Sequence, residues 1–330
     1  MFLFDFGNSY FFKVFRMGRG SGFGKVILFG EHFVVHGVPG IVSAVDSTAD
    51  AEVRKSGNGI IIKDERKGAK GYTEGKRTQQ LESIDRILKA MGIEPETVSL
   101  SISLGGNLPG FSGLGASAAS SVAIVRAIAE EFGTNLSDER INEIAYEAEK
   151  AYAGTPSGID NTAATYGGLL WFKKNMRGDS NTIERLSIRE PVEIIIGSTG
   201  IVANTKEMVA GVAARKKNNP EKYDPLFKQA EDLAFAGRKA LEKFDLKKVG
   251  ILMNENHCLL QEIGVSCKEL DYLVDLAREK GALGAKVTGG GGGGCMTALT
   301  PTKKLQKTVA KAIERAGFEV LRTKIGVEKL

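Results

Sequence analysis

The sequence is short of several things, and each shortage narrows what it can do. Its 330 residues include three cysteines, Cys258, Cys267 and Cys295. The count is odd and no two stand in a CxxC pair, which argues against a disulfide scaffold and for a reducing, cytoplasmic setting. No apolar run approaches the roughly 20 residues of a membrane span, so no membrane partner is expected. Charge of one sign is not concentrated anywhere. The 45 basic and 40 acidic residues leave a net charge of +5 and are well mixed. Without a Lys/Arg block or a basic run interleaved with aromatics, nucleic acid is not an expected partner. No HxxxH or paired-carboxylate spacing supports a protein-only zinc or di-iron site, and no internal repeat is present. What remains, 42% hydrophobic and 26% charged, is the composition of a soluble globular protein with one large or two ordinary domains. The mild positive excess suits an anionic small substrate.

Glycine is plentiful, with 41 residues, and its placement is informative. The stretch from Asn107 to Ser121 interleaves Gly110, Gly113 and Gly115 with small residues. Val98 to Leu104 before it alternates as a strand does, and Ala116 to Phe132 after it lacks Gly and Pro, as a helix does. A strand, a glycine loop and a helix in that order form an anion site, because backbone N–H groups and the helix N-terminus face the ligand. Three readings remain open. Gly113-x-Gly115-x-x-Ala118 fits a dinucleotide fingerprint, but the loop is long and holds Pro109. The acids about 20 positions on, where that fingerprint needs one at a strand end, are Glu130 and Glu131 at the end of the helix. A plain tight turn is the second reading, and a triphosphate loop of another design is the third.

Other stretches carry similar ambiguity. Val26 to Phe29 reads as a buried strand that Gly30 breaks, with Lys25 at its start. A Walker A loop at Gly24-Lys25 fails, because Arg19 and Val26 stand where Gly and Ser/Thr are required. Lys25 is therefore either a solvated strand-end lysine or a functional one. Ser137 with Asp138 and Glu139 opens a helix whose stripe is Ile141, Ile144, Ala145, Ala148 and Tyr152. Glu143 and Glu147 point away from the stripe, while Glu149 falls on its edge. Asp160 can cap a helix beginning at Asn161 or serve chemistry. Lys286-Val-Thr precedes six glycines, 289–294, more than any hairpin needs, so a backbone or ligand approaches closely there. His257 reads as packed or hydrogen-bonded rather than as a ligand.

In order, these stretches resemble the three motifs of the GHMP kinases, and within them the mevalonate kinases. Pro109-Gly-Phe-Ser-Gly-Leu-Gly-Ala-Ser-Ala-Ala resembles that family's phosphate loop, Pro-x-x-x-Gly-Leu-Gly-Ser-Ser-Ala-Ala, with Ala116 replacing the first serine. Gly24-Lys-Val-Ile-Leu-Phe-Gly-Glu-His-Phe-Val-Val-His-Gly resembles the first motif of mevalonate kinases, although Gly22-Phe23 replaces the usual Ala-Pro. Glu149 and, eleven residues on, Asp160 within Pro-Ser-Gly-Ile-Asp-Asn resemble the mevalonate kinase stretch Glu-(eleven on)-Asp in Pro-Ser-Gly-(Val/Ile)-Asp-Asn, spacing included. Asn204-Thr-Lys-Glu-Met-Val-Ala-Gly-Val is similar to their substrate-contacting segment. Lys286 to Gly294 resembles the third motif, with Gly290 for an alanine.

The resemblance covers about residues 19–325. It implies an α+β, two-domain fold, with a ribosomal-S5-like domain over 17–188 and a ferredoxin-like domain over 189–330. The implied activity is ATP- and Mg²⁺-dependent phosphorylation of mevalonate's primary hydroxyl. By resemblance, Pro109, Gly110, Phe111, Ser112, Gly113, Leu114, Gly115, Ala116, Ser117 and Ala118 bind ATP. Ser117 and Glu149 hold Mg²⁺, Asp160 and Lys25 are catalytic, and Glu31, His32, Thr205, Gly290 and Gly291 contact substrate. A homodimer is the assembly it implies. A sister small-molecule kinase, or a silent sensing protein on the same fold, are the alternatives. Residues 1–16 lie outside the resemblance and read as an extension before an internal start at Met17. Elsewhere, residues 64–78 read as a mobile loop and Gln79 to Met91 as a helix with Leu81, Ile84, Ile87 and Leu88 inward. The polar stretch 176–190 reads as the domain boundary. Helices are expected at 224–243, 246–263, 267–280 and 302–316.

Overall fold

The computed structural model describes residues 17–67, 72–111, 113–202 and 204–328. The extension 1–16 and Ser112 therefore lie outside the described residues. Elements of the first half are β1 (Gly18–Phe29), β2 (Gly40–Lys55), β3 (Ile60–Asp64), α1 (Tyr72–Ala90), β4 (Leu100–Gly106), α2 (Ala116–Phe132), α3 (Asp138–Ala153), α4 (Ile159–Tyr166), β5 (Leu169–Lys173) and β6 (Thr182–Leu186). The second half follows with β7 (Val192–Ser198), α5 (Thr205–Asn218), α6 (Pro220–Glu242), α7 (Leu246–Glu262), α8 (Lys268–Glu279), β8 (Gly284–Thr288), β9 (Cys295–Leu299), α9 (Lys303–Arg315) and β10 (Glu319–Ile325).

Strand β2 is the spine of the first half, pairing antiparallel with β1, β4 and β5. Strands β3 and β4 run parallel, and α1 supplies the crossover that parallel neighbours need. Helix α2 lies directly on β1. Every second residue of that strand, Gly18, Gly20 and Gly22, faces it. A Cβ on these glycines would stand 2.0, 2.3 and 2.2 Å from the carbonyl oxygens of Ala127, Ala123 and Ala119. Two strand residues advance about 6.6 Å and four helix residues about 6 Å, so the glycine and alanine stripes stay in step. Helix α2 is thereby fixed against the strand that carries Lys25.

In the second half the sheet order β10-β7-β9-β8 places its strands 4-1-3-2 in chain order, all antiparallel, which is the ferredoxin-like arrangement. Helices α5 to α9 are interposed between these strands, giving an α+β fold as expected. One pair, Ile325 with Val45, joins the two halves into a continuous sheet. The Gly168 amide donating to the Val327 carbonyl at 2.9 Å extends that seam. The main core cluster also crosses it, from Phe29, Phe33 and Trp171 to α6 and α7.

Three sequence expectations need correction. Helix α1 starts at Tyr72, inside the stretch read as a loop. Its first turns are polar and show no apolar period. Leu81 is exposed, and the inward face is Gln80, Ser83, Ile84, Ile87 and Leu88. Within the expected boundary lies β6, an edge strand held to β5 with four of its five residues exposed. A strand without a buried face has no alternation to read. The helices expected at 224–243, 246–263, 267–280 and 302–316 appear as α6 to α9, with α6 extending back to Pro220 at its first position.

Candidate active site

The phosphate-loop segment is anchored by its apolar side chains. Leu108, Phe111 and Leu114 are buried in the core, so Phe111 and Leu114 can offer a ligand only their backbone. The Gly110 amide donates to the Lys67 carbonyl at 2.7 Å. Gly115, left-handed at φ 66°, is the N-cap of α2, and no side chain caps that end. The first intrahelical bond is Ala119 N–H to Gly115 C=O, which leaves the amides of Ala116, Ser117 and Ala118 without helical acceptors. Three free amides at the positive end of a helix dipole are an arrangement that can receive an anion.

Beside it stand the two candidate catalytic groups. Lys25 is buried at the β1 position paired with Ala44, and its own amide donates to the Leu114 carbonyl at 3.0 Å. Its Nζ lies 3.1 Å from Asp160 Oδ1 and donates to the Gly113 carbonyl at 3.2 Å. A side chain on Gly115 would strike the Lys25 stem at 2.8 Å, so that glycine gives the lysine its channel. Asp160 occupies the first turn of α4, whose N-cap is Gly158. The capping alternative for Asp160 is thus set aside, and its carboxylate, 34% exposed, faces Lys25.

Helix α3 brings Glu149 to the same place, in the environment expected of a stripe-edge residue. Ser117 donates to Glu149 Oε2 at 3.1 Å, while Oε1 is buried without a hydrogen-bond partner. Burial, reinforced by the negative charge of Asp160, pushes the Glu149 carboxyl up to about 8. An orphaned carboxylate oxygen beside a hydroxyl suits a hard cation that takes few protein oxygens, so the residues fit Mg²⁺.

The expected substrate residues divide. His32 is buried, adopts a positive φ of 60°, and its Nε2 lies 2.9 Å from the Gly290 carbonyl. Burial lowers its pKa to about 4, so the ring is neutral; donation from Nε2 to that carbonyl leaves Nδ1 as a buried acceptor without a partner. A non-glycine residue held at positive φ is uncommon and concentrates at functional sites. Thr205 is exposed at the start of α5 and crowds Gly290, where a Cβ would lie 2.5 Å from its hydroxyl. Gly291 is packed on the Val265 carbonyl, 2.0 Å from where its Cβ would be. Glu31 is a correction. It is fully buried and ion-paired with Lys286, and Asn256 donates to its second oxygen at 3.2 Å, so it has no surface to offer a solute. Burial raises the Glu31 carboxyl and lowers the Lys286 ammonium, and the attraction between them opposes both shifts.

Lys286 has a role that its place at the head of a motif does not reveal. Its Nζ also donates to the Ile27 carbonyl at 3.1 Å, and the Ile27 amide donates to the Thr288 hydroxyl at 3.2 Å. The signal for it is a lone charge in a strand buried along its whole length. The glycine run serves backbone approach. Gly289 faces Gly113, and a Cβ on Gly289 would stand 2.5 Å from the Gly113 Cα, so the glycine loop before α2 and the glycine run after β8 touch. His257 is buried with Nε2 3.2 Å from Asp271, and burial lowers its pKa to about 4. Among the described residues, no helix is long and apolar enough to cross a membrane.

The model of the GHMP kinases N-terminal domain matches residues 81–168 and that of the GHMP kinases C-terminal region matches 238–319. Mevalonate kinases of Thermococcus sibiricus and Pyrococcus abyssi are each 36% identical to the chain. The first alignment covers 93% of this chain and 95% of the relative, and the second 96% and 97%. The crystal structure of L. major mevalonate kinase in complex with R-mevalonate superimposes with a TM-score of 0.87 at 35% identity, covering 93% and 95% of the two chains.

Proposed function

The chain belongs to the mevalonate kinases of the GHMP kinase family, and from that membership we propose that it transfers the γ-phosphoryl group of ATP to the primary hydroxyl of mevalonate. The carrying observation is the ion pair of buried Lys25 with part-exposed Asp160 beside the glycine loop, next to Ser117 and Glu149. Phosphoryl transfer depends on positioning and charge neutralisation more than on covalent chemistry. The amides of Ala116 to Ala118 would bind phosphate oxygens. Ser117 and Glu149 would hold Mg²⁺, which when bound neutralises charge on the phosphates. Asp160 would take the hydroxyl proton, with Lys25 orienting it and stabilising charge. Neutral His32, Thr205 and the Gly290–Gly291 backbone form the wall where the alcohol would sit. The reaction would run in the cytoplasm as a step toward isoprenoids.

Asp160→Asn tests this reading. Asn keeps the size but cannot take a proton. A general base contributes about 10²–10⁴ in rate, so kcat for ADP release with mevalonate should fall by that factor, with KM nearly unchanged. A kcat near wild type would remove Asp160 from the chemistry.

A further inference from the structure

We propose that Lys76, on α1, binds the polyphosphate of the nucleotide, an inference that rests on the reading of the site as an ATP site. Helix α1 presents Lys76, Gln80 and Ser83 on one face, at i, i+4 and i+7. Gln80 reaches Asp64 at the end of β3 at 3.5 Å and Ser83 meets Ser121 of α2 at 3.3 Å, which lays this face against β3 and α2. One turn further on, Lys76 arrives at the N-terminal end of α2. There it lines, with Arg66, Tyr152, Ala116 and Ser117, a cavity of about 20 Å³, room for one water.

The two cations of this cavity differ. Arg66 is committed: it forms a nearly buried fork with Asp64 at 2.6 and 2.9 Å and reaches the Ala116 carbonyl at 3.5 Å. Lys76 has no ion pair among the described residues, whereas its helix-mate Lys89 is paired with Asp85. Its charge is nonetheless felt at the site, where it opposes the upward push on the Glu149 carboxyl. Lys25, the other ammonium nearby, is already occupied by Asp160 and the Gly113 carbonyl. A triphosphate brings several negative charges to a loop whose own donors are neutral amides. A half-buried, unpaired ammonium beside Ser117 is the point charge that completes such a site. The buried, unpartnered Glu149 oxygen marks the same place as built for a charged ligand.

The test measures ATP, AMP and adenosine binding by calorimetry, with no alcohol present, for wild type, Lys76→Ala and Lys76→Arg. Steady-state kinetics with mevalonate run in parallel. Lys76→Ala should weaken ATP binding and raise its KM about tenfold or more, as expected for a lost hydrogen bond to a charged group. Adenosine affinity and the melting temperature should stay near wild type, AMP should lose less than ATP, and Lys76→Arg should recover most of the loss. ATP affinity within twofold of wild type in Lys76→Ala, or equal losses for ATP and adenosine, would overturn the assignment. Should Lys76→Ala fold poorly, Lys76→Gln carries the same comparison. The binding arm needs no acceptor, so a wild-type protein that binds ATP but leaves mevalonate untouched would sink the substrate reading and leave Lys76 standing.

Discussion

At the scale of single residues, the site works by placing ionisable groups where burial changes them. Glu149 is the strongest case, with its folded carboxyl near 8 against an ordinary 4.5. Because the folded value is raised, the folded state holds a proton that the unfolded chain has released between those two values. The stability this group contributes is fully present below about pH 4.5 and is lost as pH rises through 8. Without Mg²⁺, the melting temperature should therefore fall between pH 6 and 9, and Glu149→Gln should flatten that fall. Mg²⁺ with ATP should restore stability above pH 8, where the carboxylate is free to bind. Melting curves recorded at a series of pH values check this, and an unchanged slope in Glu149→Gln would contradict it. The position of Glu149 on the edge of the α3 stripe is legible in sequence. Its elevated proton affinity is not, because that depends first on its burial by the packed fold and then on Asp160 approaching from another helix.

At the scale of elements, what the sequence shows and what it hides divide along physical lines. Helix α2 begins and ends where composition places it, at Ala116 and Phe132, because no Gly or Pro interrupts it and glycine flanks both ends. The Ser137 cap of α3 also appears, accepting from the Arg140 amide at 3.3 Å. Strand β6 is hidden because it buries no regular apolar face, and the first turns of α1 because their sequence carries no apolar period. Gly18, Gly20 and Gly22 carry a subtler signal: glycine at period two in a strand means a backbone lies on that face. Gly20→Ala should destabilise the protein by about 1–3 kcal/mol, since the new methyl would overlap the Ala123 carbonyl of α2 and neither backbone can yield freely. Gly57→Ala, where a Cβ meets nothing within 4 Å, is the control and should be near neutral. Urea unfolding compares the two, and equal midpoints would show that α2 does not rest on β1 in this way.

At the scale of the molecule, function depends on holding three distant stretches of chain together. The Lys286–Glu31 pair, its bonds to Ile27, and the contact of Gly289 with Gly113 tie the second half of the chain to the first at the site itself. Lys286→Met would strand the Glu31 carboxylate in the interior and should cost about 3–5 kcal/mol of stability, whereas adding Glu31→Gln should recover much of it. Urea midpoints of the single and double variants measure this, and no recovery in the double variant would show that the charge pair is not the cause. The resemblance of three motifs implies that these loops meet, but not that a buried ion pair, rather than a substrate, occupies Glu31. Above all these details stands the proposal that the assembled cleft selects mevalonate. The direct measurement is the specificity constant, kcat/KM from ADP release, for mevalonate, phosphomevalonate, galactose and homoserine under one set of conditions. Mevalonate should give the highest value, and a higher value for any of the other three would contradict the proposal.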